Sequence, residues 1–268
     1  MSKIEVITSL NNPKIKQVVK LRQRKERDSQ KLFIIEGYRE LSLALHSSFA
    51  IKEFFYCEEL LNGKHALLFD ESSKRGAQIF KVSKKVFLKI AFGERQEGVL
   101  ALAKERHFKL NDISLSKNPL VVVVESLEKP GNLGAILRTC DAAGVDAVIV
   151  CDGKTDIYNP NCIRASLGAF FSVPVLEETS QNVIDWLKKN KFEIFLALTN
   201  ADTLYSKVSF LAPTALVLGS ENKGLSLIWQ NASDLKIKIP MNGKVDSLNV
   251  AMAASILIFE ALRQRETI

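Results

Sequence analysis

A chain of 268 residues, 47% hydrophobic and 25% charged, is long for one domain and has ample apolar material for folded cores. No apolar run approaches the roughly 18 residues of a membrane span, and the opening MSKIEVITSLNNPKIK carries no apolar signal region, so a cytoplasmic protein with no membrane partner is expected. Four cysteines without a CxxC pair and three scattered histidines argue against a disulfide framework or a metal centre, leaving reduced thiols in apolar segments.

The net charge of +7 suggests a polyanionic partner, and its placement is uneven. Residues 1–106 hold 21 Lys+Arg against 13 Asp+Glu, whereas residues 107–268 hold 16 against 17. Residues 9–31 concentrate this excess. A turn at Asn11, Asn12 and Pro13 leads into an expected basic helix with a thin apolar stripe of Ile15, Val18, Val19 and Leu21. Lys14, Lys16, Lys20, Arg22, Arg24, Lys25, Arg27 and Lys31 are expected to face outward, opposed only by Glu26 and Asp28. Such a run is commonly just a solvated face. Its imbalance, in the half that carries all the excess charge, points instead to phosphate contact, with Lys14, Lys16, Lys20, Arg22, Arg24, Lys25 and Arg27 as the candidates.

Beyond this segment, the pattern predicts a strand over 32–37 (LFIIEG), a helix over 38–46 and a strand over 51–57. A helix follows around 58–61, then short strands near 66–69 and over 79–82, a helix over 84–91 and a strand over 98–103. Together, residues 1–106 read as a small α/β domain. Residues 107–119, polar and ending in Asn118-Pro119, read as a linker to a second domain over 120–268.

That domain opens with LVVVVE over 120–125, a β-branched run of the kind buried on both faces of a parallel sheet. The loop EKPGNLG over 128–134, a helix over 135–143 and a strand over 147–151 complete a βαβ unit. A helix over 158–171 and strands over 192–199, 215–218 and 235–239 are expected further on. Gly131 and Gly134 keep part of a dinucleotide-binding loop, with Asp152 near the place of its ribose-binding acid, but the leading glycine is replaced by Lys129. More distinctive is Asn132 followed six residues later by Arg138, a spacing read as able to bring both near the strand ends, with Arg138 in apolar surroundings that would call for an anionic partner. A loop Asn and a solvated helical Arg are the plainer alternative.

The segment LVLGSENKG over 216–224 ends a buried strand at Gly219, presents Glu221 and turns back at Gly224. Ordinary turn chemistry would account for both glycines, while a glycine at a strand end also permits close backbone approach to a ligand. The last stretch, IPMNGKVDSLNVAMAASILIFEALRQR over 239–265, leaves a strand, turns through Pro240, Asn242 and Gly243, and enters a helix expected near Asp246 or Ser247. From Val250 to Leu262 that helix is apolar on nearly every face and is expected to be buried. Ser247 and Asn249 are delivered into it, either as caps or as part of a ligand site.

NxGxIxRT at Asn132–Thr139, GxExxG at Gly219–Gly224 and PM…SLNV ahead of a helix ending in ALRQ stand in one order within about 130 residues. The three together resemble the signatures of the SpoU/TrmH family of RNA ribose methyltransferases, and the first domain, with FIIEGYRE at its opening, resembles the family's ribosomal-protein-L30-like substrate-binding domain. The resemblance implies a trefoil-knotted parallel α/β sheet that forms a homodimer, and transfer of the S-adenosylmethionine methyl group to a ribose 2′-hydroxyl. It implies a catalytic cluster of Asn132, Arg138, Glu221, Ser247 and Asn249, and cofactor contacts from Thr199, Asn200, Ala201, Gly219, Ile239 and Leu248. Arg138 suits an RNA phosphate anchor better than a base, because a guanidinium keeps its proton. The partner implied is RNA, ribosomal RNA ahead of transfer RNA, and not DNA. Two rival readings are a non-catalytic RNA-binding protein of the same fold and a nicotinamide-dependent oxidoreductase, the latter disfavoured by the missing glycine and the basic first domain.

Overall fold

The computed structural model describes residues 4–61, 66–93, 97–220 and 224–266. Contacts divide the chain into two units, Met1–Arg106 with Tyr158–Ser172, and His107–Ile157 with Val173–Ile268.

In the first unit, β1 (Glu5–Ile7) precedes α1 (Pro13–Lys20) and α2 (Arg24–Gln30). Asn12 caps α1 by accepting the Lys14 N–H at 2.9 Å, with Pro13 pre-set for the first turn. The basic segment is therefore two short helices rather than one, broken after Leu21, and α2 ends on Lys31 in the left-handed region (φ 53°). Then come β2 (Leu32–Glu36), α3 (Tyr38–His46), β3 (Ile51–Tyr56), α4 (Ala66–Lys74), β4 (Gln78–Val82), α5 (Lys84–Ile90) and β5 (Val99–Lys104). Residues 66–69, expected as a strand, open α4 instead, because alanine and leucine are strong helix formers and the apolar run is too short to fix a strand. The five strands pair in the order β1-β4-β3-β5-β2, with β5 antiparallel to both its neighbours. Ile15, Val18 and Leu21 reach from the basic segment into a core with Phe55, Phe80 and Phe87.

The second unit starts at His107: residues 107–119, expected as a linker, pack Phe108, Leu110, Ile113 and Leu115 on its core. Its first strand is β6 (Leu120–Glu125), buried throughout, followed by α6 (Pro130–Ala143) and β7 (Ala147–Cys151). The next segment packs with the first unit. It holds α7 (Pro160–Ala165) and a 3-10 turn at Ala169–Phe171, in place of the single helix expected over 158–171. Leu167 and Gly168 are both in the left-handed region and interrupt the helix. Tyr158, Phe170 and Phe171 here join Phe33 and Phe49 in an aromatic cluster. The second unit resumes with β8 (Val175–Glu178), α8 (Ser180–Lys189), β9 (Glu193–Ala197), β10 (Thr203–Leu204), β11 (Thr214–Leu218), α9 (Leu227–Ala232), β12 (Leu235–Lys238) and α10 (Val250–Glu266).

Its seven strands are all parallel, in the order β10-β12-β9-β11-β6-β7-β8. The chain builds outward from β6 to β8, crosses to β9, then inserts β11 between β9 and β6 and β12 between β10 and β9. Val121 and Val123 pack with Trp186, Leu187 and Trp229 from α8 and α9. Alternate residues Val122 and Val124 point to the opposite face, and α10 packs on α6 and β11. Because every strand runs the same way, all carboxyl ends lie on one rim. Open α/β sheets bind ligands at such a rim, where the strand order reverses.

Candidate functional site

The rim carries a cavity of about 1010 Å³, formed where β9, β11 and β12 end. Thr199, Asn200 and Ala201 follow β9, Gly219 and Ser220 follow β11, and Ile239, Ser247 and Leu248 lie on the loop after β12; all of these line it. The six residues expected to bind a cofactor thus lie on one wall system, contributed by three separate turns. Val250, Ala253 and Leu257 also line the cavity at helical i, i+3, i+7 spacing on α10. Sequence reading assigned them only to the core, although that spacing marks one helix face. Asp202, Asp234 and Asp246 add carboxylates to the lining.

The wall after β11 is a tight turn. A Cβ on Gly219 would stand 2.3 Å from the Gly224 carbonyl, so nothing larger than glycine fits without moving backbone. Ser220 and Gly224 bridge antiparallel, the Gly224 N–H donating to Ser220 O at 2.9 Å, and Gly224 turns at φ +64°. Glu221, expected in the catalytic cluster, lies outside the described residues.

Asn132 and Asn249, 117 residues apart in sequence, meet: the Asn249 Nδ2 donates to Asn132 Oδ1 at 3.2 Å. Asn249 also accepts the Ala251 N–H at 2.9 Å through Oδ1, which makes it the cap of α10. The helix therefore starts at Val250, later than expected, and Asp246 and Ser247 stay in the exposed approach loop. The α6 helix starts earlier than expected, at Pro130, so Asn132 sits in its first turn rather than in a loop. Six helical residues then carry Arg138 about 9 Å along the axis and roughly 120° around it. Arg138 is exposed, which corrects the inference of buried surroundings, and it forms no ion pair with a described residue. The structure thus joins Asn132 to Asn249, places Ser247 in the cavity wall and leaves Arg138 on open helix surface. On the far side, α6 and α10 are held by Thr139 and Ser255, whose hydroxyls lie 2.9 Å apart.

The expected burial of α10 holds for only part of its surface. Ala254, Leu257, Ile258 and Ala261 are buried, but Met252 and Phe259 are 62% and 48% exposed, one above the other two turns apart.

In the first unit, the seven expected phosphate contacts divide. Lys16, Lys20, Arg24 and Lys25 face solvent, with Arg24 3.7 Å from Asp28. Lys14 instead pairs with Glu53 at 2.5 Å and lies over the Phe80 ring. Arg22 donates to the carbonyls of Lys89 and Ala91 at the end of α5, at 2.9 and 2.8 Å. Arg27, expected outside, is only 1% exposed and donates to Leu21 O at 2.7 Å across the break between α1 and α2. Sequence spacing gave no sign of this inward turn.

Comparison with known proteins matches two successive stretches of the chain, the later of which includes the 158–172 segment that packs with the first unit. Residues 119–259 match the model of the SpoU rRNA Methylase family, and residues 12–101 match an MRM3-like substrate binding domain. A 23S rRNA (guanosine(2553)-2′-O)-methyltransferase, RlmP, of Bacillus subtilis (strain 168) is 29% identical, with 94% of this chain and 97% of that one covered. A 23S rRNA (uridine(2479)-2′-O)-methyltransferase of Streptomyces viridochromogenes is 31% identical, with 87% of this chain and 83% of that one covered. The crystal structure of an AdoMet-bound rRNA methyltransferase from Sinorhizobium meliloti superposes with a TM-score of 0.90 at 28% identity, covering 97% of this chain and 98% of that one.

Proposed function

Since the chain belongs to the SpoU rRNA methylase family, we propose that it methylates a ribose 2′-hydroxyl of large-subunit ribosomal RNA, with S-adenosylmethionine as methyl donor. The observation that carries this reading is the meeting of Asn132 and Asn249 next to the cavity, whose lining includes Leu248 and Val250 on either side of Asn249 in the chain but neither asparagine. The two 23S rRNA relatives align over most of this chain, 94% and 87% of it.

The cavity residues fit the cofactor. An adenosyl group needs an apolar slot with backbone donors and acceptors at its edges. Leu218, Leu225 and Leu257 supply the slot, and the turns at Thr199, Gly219 and Ile239 supply the backbone. Asp202, Asp234 and Asp246 complement a ligand that carries a sulfonium and an ammonium. S-adenosylmethionine brings a methyl carbon already activated for transfer. What remains for the chain is to position the ribose hydroxyl and to ease removal of its proton. In this reading Asn132, Ser247 and Asn249 orient the ribose together with Glu221. Arg138, a solvent-facing cation, anchors the adjoining phosphate. Lys16, Lys20, Arg24 and Lys25 hold the RNA through its backbone without reading sequence.

The insertion of β11 and β12 between strands already laid down supports the trefoil-knotted path. The exposed Met252 and Phe259 on α10 support a homodimer through that helix. Sedimentation of Met252→Glu with Phe259→Glu is expected to give monomer where the native chain gives dimer. No described helix is long and apolar enough to cross a membrane, and a ribosomal RNA substrate puts the activity in the cytoplasm.

The test is transfer of tritiated methyl from S-adenosylmethionine to total RNA of a strain deleted for this gene, followed by nucleoside analysis. Label in one 2′-O-methylated nucleoside of 23S rRNA, absent with RNA of the parent strain, is the expected result. Label confined to transfer RNA would move the substrate to that class. Failure to bind the cofactor at all would leave an RNA-binding module.

A further inference from the structure

The residue at the end of β6 is out of keeping with the run that precedes it. Four consecutive valines lead to Glu125, whose side chain is buried with the residue only 5% exposed. A carboxylate so placed is costly unless its oxygens are met by donors. Both are met by one residue: the Ser226 N–H donates to Oε2 at 2.7 Å, and the Ser226 hydroxyl donates to Oε1 at 2.6 Å. Ser226 stands at the cap position of α9, yet its hydroxyl makes no capping bond. It is directed to Glu125 instead.

A second layer backs this contact. Ser180 Oγ lies 3.4 Å from Glu125 Oε1, donates to Asp152 Oδ2 at 2.5 Å and accepts from Trp229 Nε1 at 2.9 Å. Trp229 is fully buried on α9, three residues beyond Ser226. The start of α9 is thus tied at two points to the ends of β6 and β7.

These ties act on the cavity wall. In the register of β11 and β6, Leu218 lies opposite Val124, so Glu125 stands beside Gly219, where the turn begins. Ser226, where the turn ends, is what Glu125 holds. Between them, Gly219, Ser220, Gly224 and Leu225 line the cavity, which Glu125 itself does not. We propose that Glu125 is a positioning residue: through Ser226 it fixes the wall residues Gly219, Ser220, Gly224 and Leu225 in the form that receives the adenosyl cofactor. This rests on the cofactor reading of the cavity given above.

A role confined to folding would lower stability and cofactor affinity in step, whereas a positioning role separates them. Calorimetric titration of the full chain with S-adenosylmethionine, without RNA, makes the distinction. Ser226→Ala is expected to weaken binding at least about tenfold, the scale of a lost hydrogen bond to a charged group. Its melting temperature should stay within about 4 °C of the native chain, and Ser226→Thr, which keeps the hydroxyl, should restore affinity. Glu125→Gln should weaken binding in the same way, and the double variant Glu125→Gln/Ser226→Ala should be little worse than either single one, because the two share one interaction. If Glu125→Gln fails to fold, the Ser226 pair still decides. Native binding together with affinities within twofold in folded Ser226→Ala overturns this inference alone. A native chain that does not bind S-adenosylmethionine overturns the methyltransferase reading and this inference with it.

Discussion

The two candidate binding surfaces of the molecule are built in opposite ways. The cavity of the second unit is made by backbone: three turns at parallel strand ends, one so tight that only glycine fits at position 219. The basic surface of the first unit is made by side chains, Lys16, Lys20, Arg24 and Lys25, on two short helices. A concave site held by main-chain geometry depends on every wall at once. A convex array of flexible cations depends on a sum of weak, screened terms. The first should fail abruptly on substitution and the second gradually.

The sharpest test is Gly219→Ala, since the added Cβ would stand 2.3 Å from Gly224 backbone. Forcing an atom into packed structure costs about 1–3 kcal/mol, so cofactor affinity measured by calorimetry should fall about 10- to 100-fold. An affinity unchanged by this substitution would mean that the turn does not shape the pocket. Next comes Asn249→Ala. Loss of the cap is expected to cost about 1 kcal/mol of stability, but loss of the Asn132 contact should reduce methyl transfer much further, by about 100-fold or more. The double variant Asn132→Ala/Asn249→Ala should be no less active than the worse single variant, because the two side chains meet. Additive losses would separate them into two functions.

What the sequence made legible follows the same division. Parallel strands buried on both faces announce themselves by β-branched runs, and β6 and β7 occupy the expected residues. The turns of the cavity were legible through their glycines and their place after those strands. Side-chain direction was not. Arg27 reads as one more cation in a basic run, and only the break after Leu21, which leaves a carbonyl to be satisfied, brings its guanidinium inside. Met252 and Phe259 read as core because α10 is apolar all round, but one face of that helix packs on α6 and β11 and another does not. The α8 helix is absent from the expected elements although the sequence carries its signals: Thr179 caps it, and Val183, Ile184, Trp186 and Leu187 repeat at helical spacing. The segment 158–172 reads as one helix of the second domain because it follows β7 in the chain, whereas it is a short helix and a 3-10 turn that pack with the first unit.

The smaller effects lie among the cations, where the contrast is between charges that face solvent and charges with internal partners. Arg27→Ala removes a buried donor from Leu21 O and should lower stability by about 1–3 kcal/mol, read as a shift in the urea midpoint, while leaving the salt dependence of RNA binding in place. Lys20→Ala should do the reverse. Its side chain is exposed at the end of α1, so stability should change by less than about 0.5 kcal/mol. If Lys20 neutralises one phosphate, RNA affinity should fall several-fold and the slope of log K against log salt should decrease by about 1. Lys16, Arg24 and Lys25 should each repeat this small loss, and the losses should accumulate with the number replaced. A steep loss from any single one of them would mean that it contacts the RNA in a fixed geometry, and the surface would then resemble the cavity in kind.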